Sequence, residues 1–444
     1  MAISNKLLFI TVLVEGFVSI GVEIFAIRQM IPYVGSNILN TSIIIGVFLL
    51  FLSLGYYRGG LIKKDFKQYL LNNLINSTLI LSFGLSSLFL SWYYDFFERI
   101  GNIYGLVIFT FIIIAPIIYL LGQTIPIVTN FMKNLTSSKI NGTLLFLSTI
   151  GSFLGSIITS TVLLNFLGVD NTLIVYITIL FILIVILSKY IKLNKFYYFI
   201  RILSIILITV FFNSKSLYLY SNTYSSVSIK KDNNNTRYLQ INNSFSSSYN
   251  EKTNSSNFKY ILFLENQIKD IMNMNKKDIL VIGAGGFTLS LKDKVNNYTY
   301  IDIDDDLKKY SEKYFLKKQI NGKFINNDIR FYFSNTKNKY DIIILDAFSN
   351  KRTIPSFLLT QDFFSQINQH LNQTGTLLIN FIGSPKFENN YSRHFNQTIT
   401  SLFNCTVEPL NKTHKISNII YTCYAKNDSI IYTDNKINLF ELIQ

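Results

Sequence analysis

A chain of 444 residues, 49% apolar and 15% charged, has room for two or three domains. Its charges are unevenly spread, 19 before about residue 213 and 48 after it, so a membrane-like first half precedes a globular second half. The net charge of +15 is shared almost equally between the halves; no clustered basic surface results, which excludes nucleic acid as a partner.

Apolar segments long enough to cross about 30 Å of hydrocarbon fall at roughly 7–27, 39–57, 70–92, 103–121, 143–167 and 171–188, with a shorter seventh at 196–212 that carries Arg201. No small-residue cleavage site follows the first, which reads as a span and not as a signal peptide. Basic residues follow the second span (Arg58, Lys63, Lys64, Lys67), the fourth (Lys133, Lys139) and the sixth (Lys189, Lys192, Lys195). The intervening loops hold Asp95, Glu98, Arg99 and Asp170. The positive-inside rule then places the N-terminus and the lysine-rich loops in the cytoplasm. Six spans with a half-inserted seventh leave the second half cytoplasmic, whereas seven full spans put it outside; the first arrangement is expected. Glu15 and Glu23 share roughly one side of the first span. Acids at that depth read as a functional site or as protonated carboxyls bonded to a neighbouring helix. Arg28 is expected to snorkel to the interface, and Gly151 and Gly155 to mark a close helix–helix contact.

Residues 215–248 alternate in short β-prone runs broken by "KKDNNN", which predicts a hairpin or small meander. "NFKYILFLENQIKDIMNM" has helical apolar spacing. "KKDILVIGAGGFTLSL" then predicts a buried strand over 279–282, a glycine turn and a helix. The strand "NYTYIDID", a helix over 307–318, "GKFINNDIRFYF", the strand "YDIIILD", the helix "TQDFFSQINQHL" and the strand "TGTLLINFI" continue the alternation. The predicted fold is an α-helical multi-span domain over 1–212, a β-hairpin subdomain over 213–250 and an α/β Rossmann-like, doubly wound, mostly parallel sheet over 251–444.

Such sheets bind ligands beyond the carboxyl ends of their strands. Gly283, Gly285 and Gly286 follow the first strand, Asp302 ends the second, Asp328 follows the third and Asp346 ends the fourth. The glycines admit a ligand to the backbone; Asp302 suits the two hydroxyls of a ribose and Asp328 an adenine amino group. The alternative is that these acids only cap helices. A dinucleotide is disfavoured, because Thr288 stands at the third small position of the G-x-G-x-x-G fingerprint. A mononucleoside such as an adenosyl sulfonium fits better. With two Cys and three His, no metal is expected. Cys405 and Cys423 read as two buried thiols in a reduced compartment, with a disulfide between adjacent strands as the alternative.

"NTYSSV", "VIGAGG", "YIDID", "NNDIRFYF" and "YDIIILDAFS…IPSFLLTQDFF", with "GVEIFAIR" and "IGSFLGSIITSTVLLNFLGV" earlier, resemble the polyamine aminopropyltransferases (spermidine synthases), in their bacterial membrane-fused form. That resemblance implies a β-hairpin domain beside a Rossmann-like domain. It also implies a decarboxylated S-adenosylmethionine co-substrate, held by Asp302 at the ribose and Asp328 at the adenine. An amine such as putrescine would be deprotonated by Asp346, with Tyr224 and Ser349 near the substrate. It implies a multi-pass protein of a bacterial plasma membrane whose soluble domain is cytoplasmic; a homo-oligomer is left open. Five positions, at three places, depart from the family. Ser349 replaces a second acid, Gly286 replaces an acid of the glycine turn, and Phe258, Lys259 and Tyr260 stand for a Tyr-Gln/His-Glu segment, where Lys259 would repel a cationic amine if it faced the pocket. The competing readings are a methyltransferase using intact S-adenosylmethionine and a transporter or sensor that binds the ligand without reaction.

Overall fold

A computed structural model describes residues 3–35, 37–97, 100–132, 137–191, 195–213, 216–272, 276–348 and 354–426. The chain divides into two compact units, Met1–Ser226 and Val227–Gln444.

The first unit is helical: α1 (Asn5–Val34), α2 (Ile38–Gly60), α3 (Phe66–Gly84), α4 (Ser87–Phe97), α5 (Asn102–Phe131), α6 (Ser137–Ile158, continued by the π-helical Thr159–Leu167), α7 (Gly168–Ser188) and α8 (Lys195–Asn213). Five helical stretches are long and apolar enough to cross a membrane, and α3 with α4 makes a sixth if that pair, bent by 63°, counts as one. One of the five, Ser138–Ser188, runs for 51 residues, about twice what a single crossing takes. It is not straight. Gly168 sits at φ +74°, and beyond it the Tyr176 hydroxyl returns to bond with Thr159. Small residues set the helix contacts. Gly151 packs on the Leu13 carbonyl and Gly155 on that of Phe17, the close approach expected of this pair.

The expected seventh segment is helical, and two buried side chains of the first unit, Arg28 and Glu15, differ from expectation. Segment 196–212 belongs to one continuous helix, α8. Its Arg201 donates to Asn72 Oδ1 at 2.6 Å and also bonds Asn76, so amide oxygens on α3 satisfy the guanidinium. Arg28 does not snorkel: it is buried, and its Nε donates to the Asn222 carbonyl at 2.8 Å. Glu15 is buried and accepts from Ser19 Oγ at 2.8 Å, a bond along its own helix and not to a neighbouring one. The short strand β1 (Tyr220–Ser221) lies near the end of this unit.

In the second unit β2 (Ser226–Lys231), β3 (Thr236–Ile241) and β4 (Ser244–Asn250) form an antiparallel meander, with "DNNN" in the first turn. After α9 (Lys259–Met272) come β5 (Asp278–Ile282), β6 (Asn297–Asp302), α10 (Asp306–Tyr310, continued by the π-helical Ser311–Leu316), β7 (Lys323–Asn326), α11 (Ile329–Asn335) and β8 (Tyr340–Leu345). They are followed by α12 (Gln361–Gln369), β9 (Leu371–Gly383), α13 (Asn390–Leu402), β10 (Phe403–Pro409) and β11 (Ser417–Ala425). The strands make one seven-stranded sheet in the order β10-β11-β9-β8-β5-β6-β7. β9, β8, β5, β6 and β7 are parallel, and β11 and β10 add an antiparallel edge. Ile342 to Leu345 of β8 are wholly buried, as an uninterrupted apolar run in a central parallel strand requires.

Two expectations are corrected here. The helix predicted after the glycine turn is absent, and residues 283–296 run as turns. Phe287 stands at φ +58°, and Asp293 accepts from the amides of Val295 and Asn296, which satisfies the backbone locally without a helix. The two cysteines are joined as a disulfide: Cys405 and Cys423 are directly opposed partners in the β10–β11 ladder.

Candidate active site

In chain order the parallel strands run outward from β5, first to β6 and β7 on one side and then to β8 and β9 on the other. The order therefore reverses between β5 and β8, the place beyond the strand ends where sheets of this kind bind their ligands. Two residues meet there. A Cβ added to Gly283 would lie 2.5 Å from the Asp346 carbonyl oxygen, so the turn after β5 touches the backbone leaving β8. The ladder continues into this contact, with the Asp346 amide donating to the Ile282 carbonyl at 2.9 Å. Gly283 sits at φ +90° and Gly285 at φ +49°, backbone that glycine adopts without penalty.

The turn is walled by the meander. The Gly286 amide donates to Ser247 Oγ at 2.8 Å, and Ser246 and Ser247 stand over Gly285. Asp302, at the end of β6, holds the turn from the other side. Its Oδ2 accepts from the Ala284 amide at 2.9 Å and its Oδ1 from the Asp304 amide at 3.1 Å. Burial pushes its pKa up to about 6, against the opposing pull of these amides. Asp328 is the N-cap of α11; both of its bonds, to the Arg330 and Phe331 amides, use Oδ1. The capping role weighed against ligand binding for these acids is therefore present at Asp328.

Asp346 has partners that no local pattern announces. Asn380, from β9, donates through Nδ2 to its Oδ1 at 2.8 Å, and Asn418 of β11 donates to Asn380 Oδ1 at 2.8 Å. The second bond fixes which end of the Asn380 amide faces the acid. Tyr260, on the first turn of α9, donates to the Ser246 carbonyl at 3.1 Å and is also hydrogen-bonded to Asp346. Burial raises the Asp346 pKa to about 7, and the bonds from Asn380 and Tyr260 offset only part of that shift. The tyrosine is itself held well above its ordinary range, by burial and then by the Asp346 charge. Among the described residues no cation acts on Asp302 or Asp346.

The segment Phe258–Tyr260 places its side chains differently. The residue of that segment that meets the acid is a tyrosine, Tyr260, while Lys259 is exposed. Ser349 lies outside the described residues. Tyr224 is exposed in the first unit, and its amide donates to Asn222 Oδ1. Sequence reading missed Asn380, Asn418 and Ser247. The only available signal was an Asn inside the apolar strand "TLLINFI".

Comparisons with known proteins find likenesses to part of the chain. Residues 266–428 match the spermine/spermidine synthase domain. A probable polyamine aminopropyl transferase of Bifidobacterium longum is 29% identical over 110 residues, which is 24% of each protein, so the chain spans about a quarter of that relative. Among solved structures, a probable spermidine synthase from Corynebacterium glutamicum is similar at 18% identity and a TM-score of 0.39, over 48% of this chain and 80% of the other. The spermidine synthase of Thermotoga maritima is similar at 15% identity and a TM-score of 0.36, over 45% and 69%.

Proposed function

We propose that the second unit, which carries a spermine/spermidine synthase domain over residues 266–428, is a membrane-anchored aminopropyltransferase. It would transfer the aminopropyl group of decarboxylated S-adenosylmethionine to a polyamine such as putrescine. Asp302 would hold the ribose, since its two oxygens offer about four lone pairs and the amides of Ala284, Asp304 and Ile303 leave acceptor capacity over. Asp328 would use Oδ2 toward the adenine, its Oδ1 being taken by the helix cap.

The chemistry follows from the acid. An amine arrives protonated and has no lone pair, so Asp346 takes one proton from it. The freed nitrogen attacks the methylene next to the sulfonium, the C–N bond forms, and the C–S bond breaks with its electron pair going to sulfur. A neutral thioether nucleoside leaves, and the proton on Asp346 passes to solvent. Asn380 and Tyr260 hold the carboxylate through this sequence. Positioning supplies much of the remaining rate, because the sulfonium is already a good leaving group.

The observation that favours this reading is the charge of the site. Two half-buried carboxylates, Asp302 and Asp346, stand at the ends of β6 and β8 on either side of β5, and among the described residues no cation acts on either. That setting suits a donor ending in an ammonium and a cationic acceptor, and disfavours the carboxylate of intact S-adenosylmethionine. Calorimetry with the two nucleosides separates the readings. The decarboxylated form should bind more tightly; preference for the carboxylated form would favour the methyltransferase and end the proposal.

A further inference from the structure

We infer that the second unit works on the extracytoplasmic side of the membrane, and that its amine and its donor are met there. Chain direction within the first unit decides the matter. Contacts between helices two or four crossings apart all run parallel. Gly55 of α2 meets Tyr119 and Gly122 of α5, and Gly59 meets Gln123 and Pro126. Leu13 and Phe17 of α1 meet Gly151 and Gly155 of α6. Arg201 near the start of α8 bonds Asn72 and Asn76 near the start of α3, while Asn213 at its end donates to the Ser82 carbonyl at 2.9 Å near the end of α3. Helix α8 therefore runs beside α3 in the same direction.

Between α6 and α7 the chain reverses, because Thr159 and Tyr176 would stand about 25 Å apart on one straight helix at 1.5 Å per residue, yet their hydroxyls bond. With that reversal the crossings among the described residues number seven: α1, α2, α3 with α4, α5, α6, α7 and α8. An odd number puts the two ends of the unit on opposite sides.

The exit end is also fixed by contacts. After α8, Ser216 Oγ donates to Asp170 Oδ2 at 2.6 Å, Ser221 Oγ accepts from the Val169 amide at 2.8 Å, and the Asn222 carbonyl accepts from Arg28. The exiting chain is thus pinned to the α6–α7 turn and the last turns of α1. The opposite end carries Arg58, Lys63, Lys64, Lys67, Lys139 and Lys189. The positive-inside rule makes that lysine-rich end cytoplasmic, so the chain leaves on the other side. This reverses the six-span arrangement that the sequence suggested. The Cys405–Cys423 disulfide is an independent observation in the same direction, since such bonds persist in oxidising compartments.

The consequence for the reaction rests on the transferase reading; the orientation does not. A permanently charged sulfonium nucleoside does not cross hydrocarbon unaided, so a carrier-mediated step must supply the donor to this site. The orientation is tested in intact bacterial cells expressing the full chain with Cys405→Ser and Cys423→Ser. Lys412→Cys or Lys64→Cys is then added as the single thiol for a membrane-impermeant maleimide. Lys412→Cys should react in intact cells, and Lys64→Cys only after permeabilisation. Reaction of Lys412→Cys only after permeabilisation overturns the inference. If the cysteine-free chain fails to accumulate, an alkaline phosphatase fused after Gln444 of the unaltered chain gives the same reading. Active enzyme supports the extracytoplasmic side, and phosphatase that is present but inactive overturns it. Neither readout depends on transfer activity.

Discussion

Asp346 keeps its proton up to about pH 7 because burial disfavours its charged form, while Asn380 and Tyr260 pull the other way. A base must be unprotonated to act, so kcat/KM should fall as pH drops below about 7. Asn380→Ala removes a bond that favours the charged form, which should raise the Asp346 pKa and move that limb to higher pH. Tyr260→Phe should move it in the same direction. An unmoved limb in both variants would mean that another group sets the profile. Asp346→Asn keeps the shape but accepts no proton; turnover should drop about a hundredfold or more, with nucleoside affinity little changed. The same raised pKa bears on stability. The fold holds this proton more tightly than the unfolded chain does, so that contribution is present at low pH and lost as pH rises through about 7. In thermal melts Asp346→Asn should therefore gain on the parent between pH 5 and pH 8. The acid was legible in the sequence because it ends a buried strand. Its partners were not: Asn380 and Tyr260 reach it from β9 and α9, across distances in sequence over which no local pattern carries.

At the scale of elements, the turn after β5 shows how much a short motif conveys. Its glycines were read as admitting a ligand to the backbone, and in the structure Gly283 packs on the Asp346 backbone. The helix expected to follow was not formed. "GFTLSL" has helical apolar spacing, yet Phe287 takes a positive φ and the segment closes on its own turns. Tertiary contacts with Ser247 and Asp302 outweigh that weak preference. The three glycines are also unequal. At Gly283 a methyl group would enter backbone at 2.5 Å with φ +90°, whereas at Gly285 it would meet two serine hydroxyls at 3.0 and 3.1 Å with φ +49°. Gly283→Ala should cost about 1–3 kcal/mol through strain alone and more through the collision, and nucleoside binding should fall with it. Gly285→Ala should be the milder change. Melting temperature and nucleoside titration of the two variants check the order, and equal effects would show that the turn relaxes more freely than this geometry implies. The cysteines teach a related point. Sequence spacing left thiols and disulfide both open, and only the β10–β11 register, which sets Cys405 against Cys423, decides between them.

At the scale of the whole molecule, the uneven charge distribution foretold two bodies, and each buries a core of its own. One apolar cluster runs from Ile3 to Ile205 and the other from Leu280 to Cys423, with no residue in common. The residues that hold Asp346, Asp302 and the glycine turn all come from β4 onward: Ser246, Ser247, Tyr260, Asn380 and Asn418. The nucleoside part of the site should then need nothing from the helices. A fragment of residues 227–444 should fold without detergent, show a cooperative melt, and bind the decarboxylated nucleoside within a few-fold of the full chain. Tyr224 lies outside that fragment, so if it contacts the amine as the family resemblance implies, the fragment should lose amine affinity and turnover while keeping nucleoside affinity. Titrations of both ligands against fragment and full chain separate these effects. A folded fragment that binds no nucleoside would place part of the cofactor site in the first unit, and would make the helices a component of the enzyme instead of its anchor.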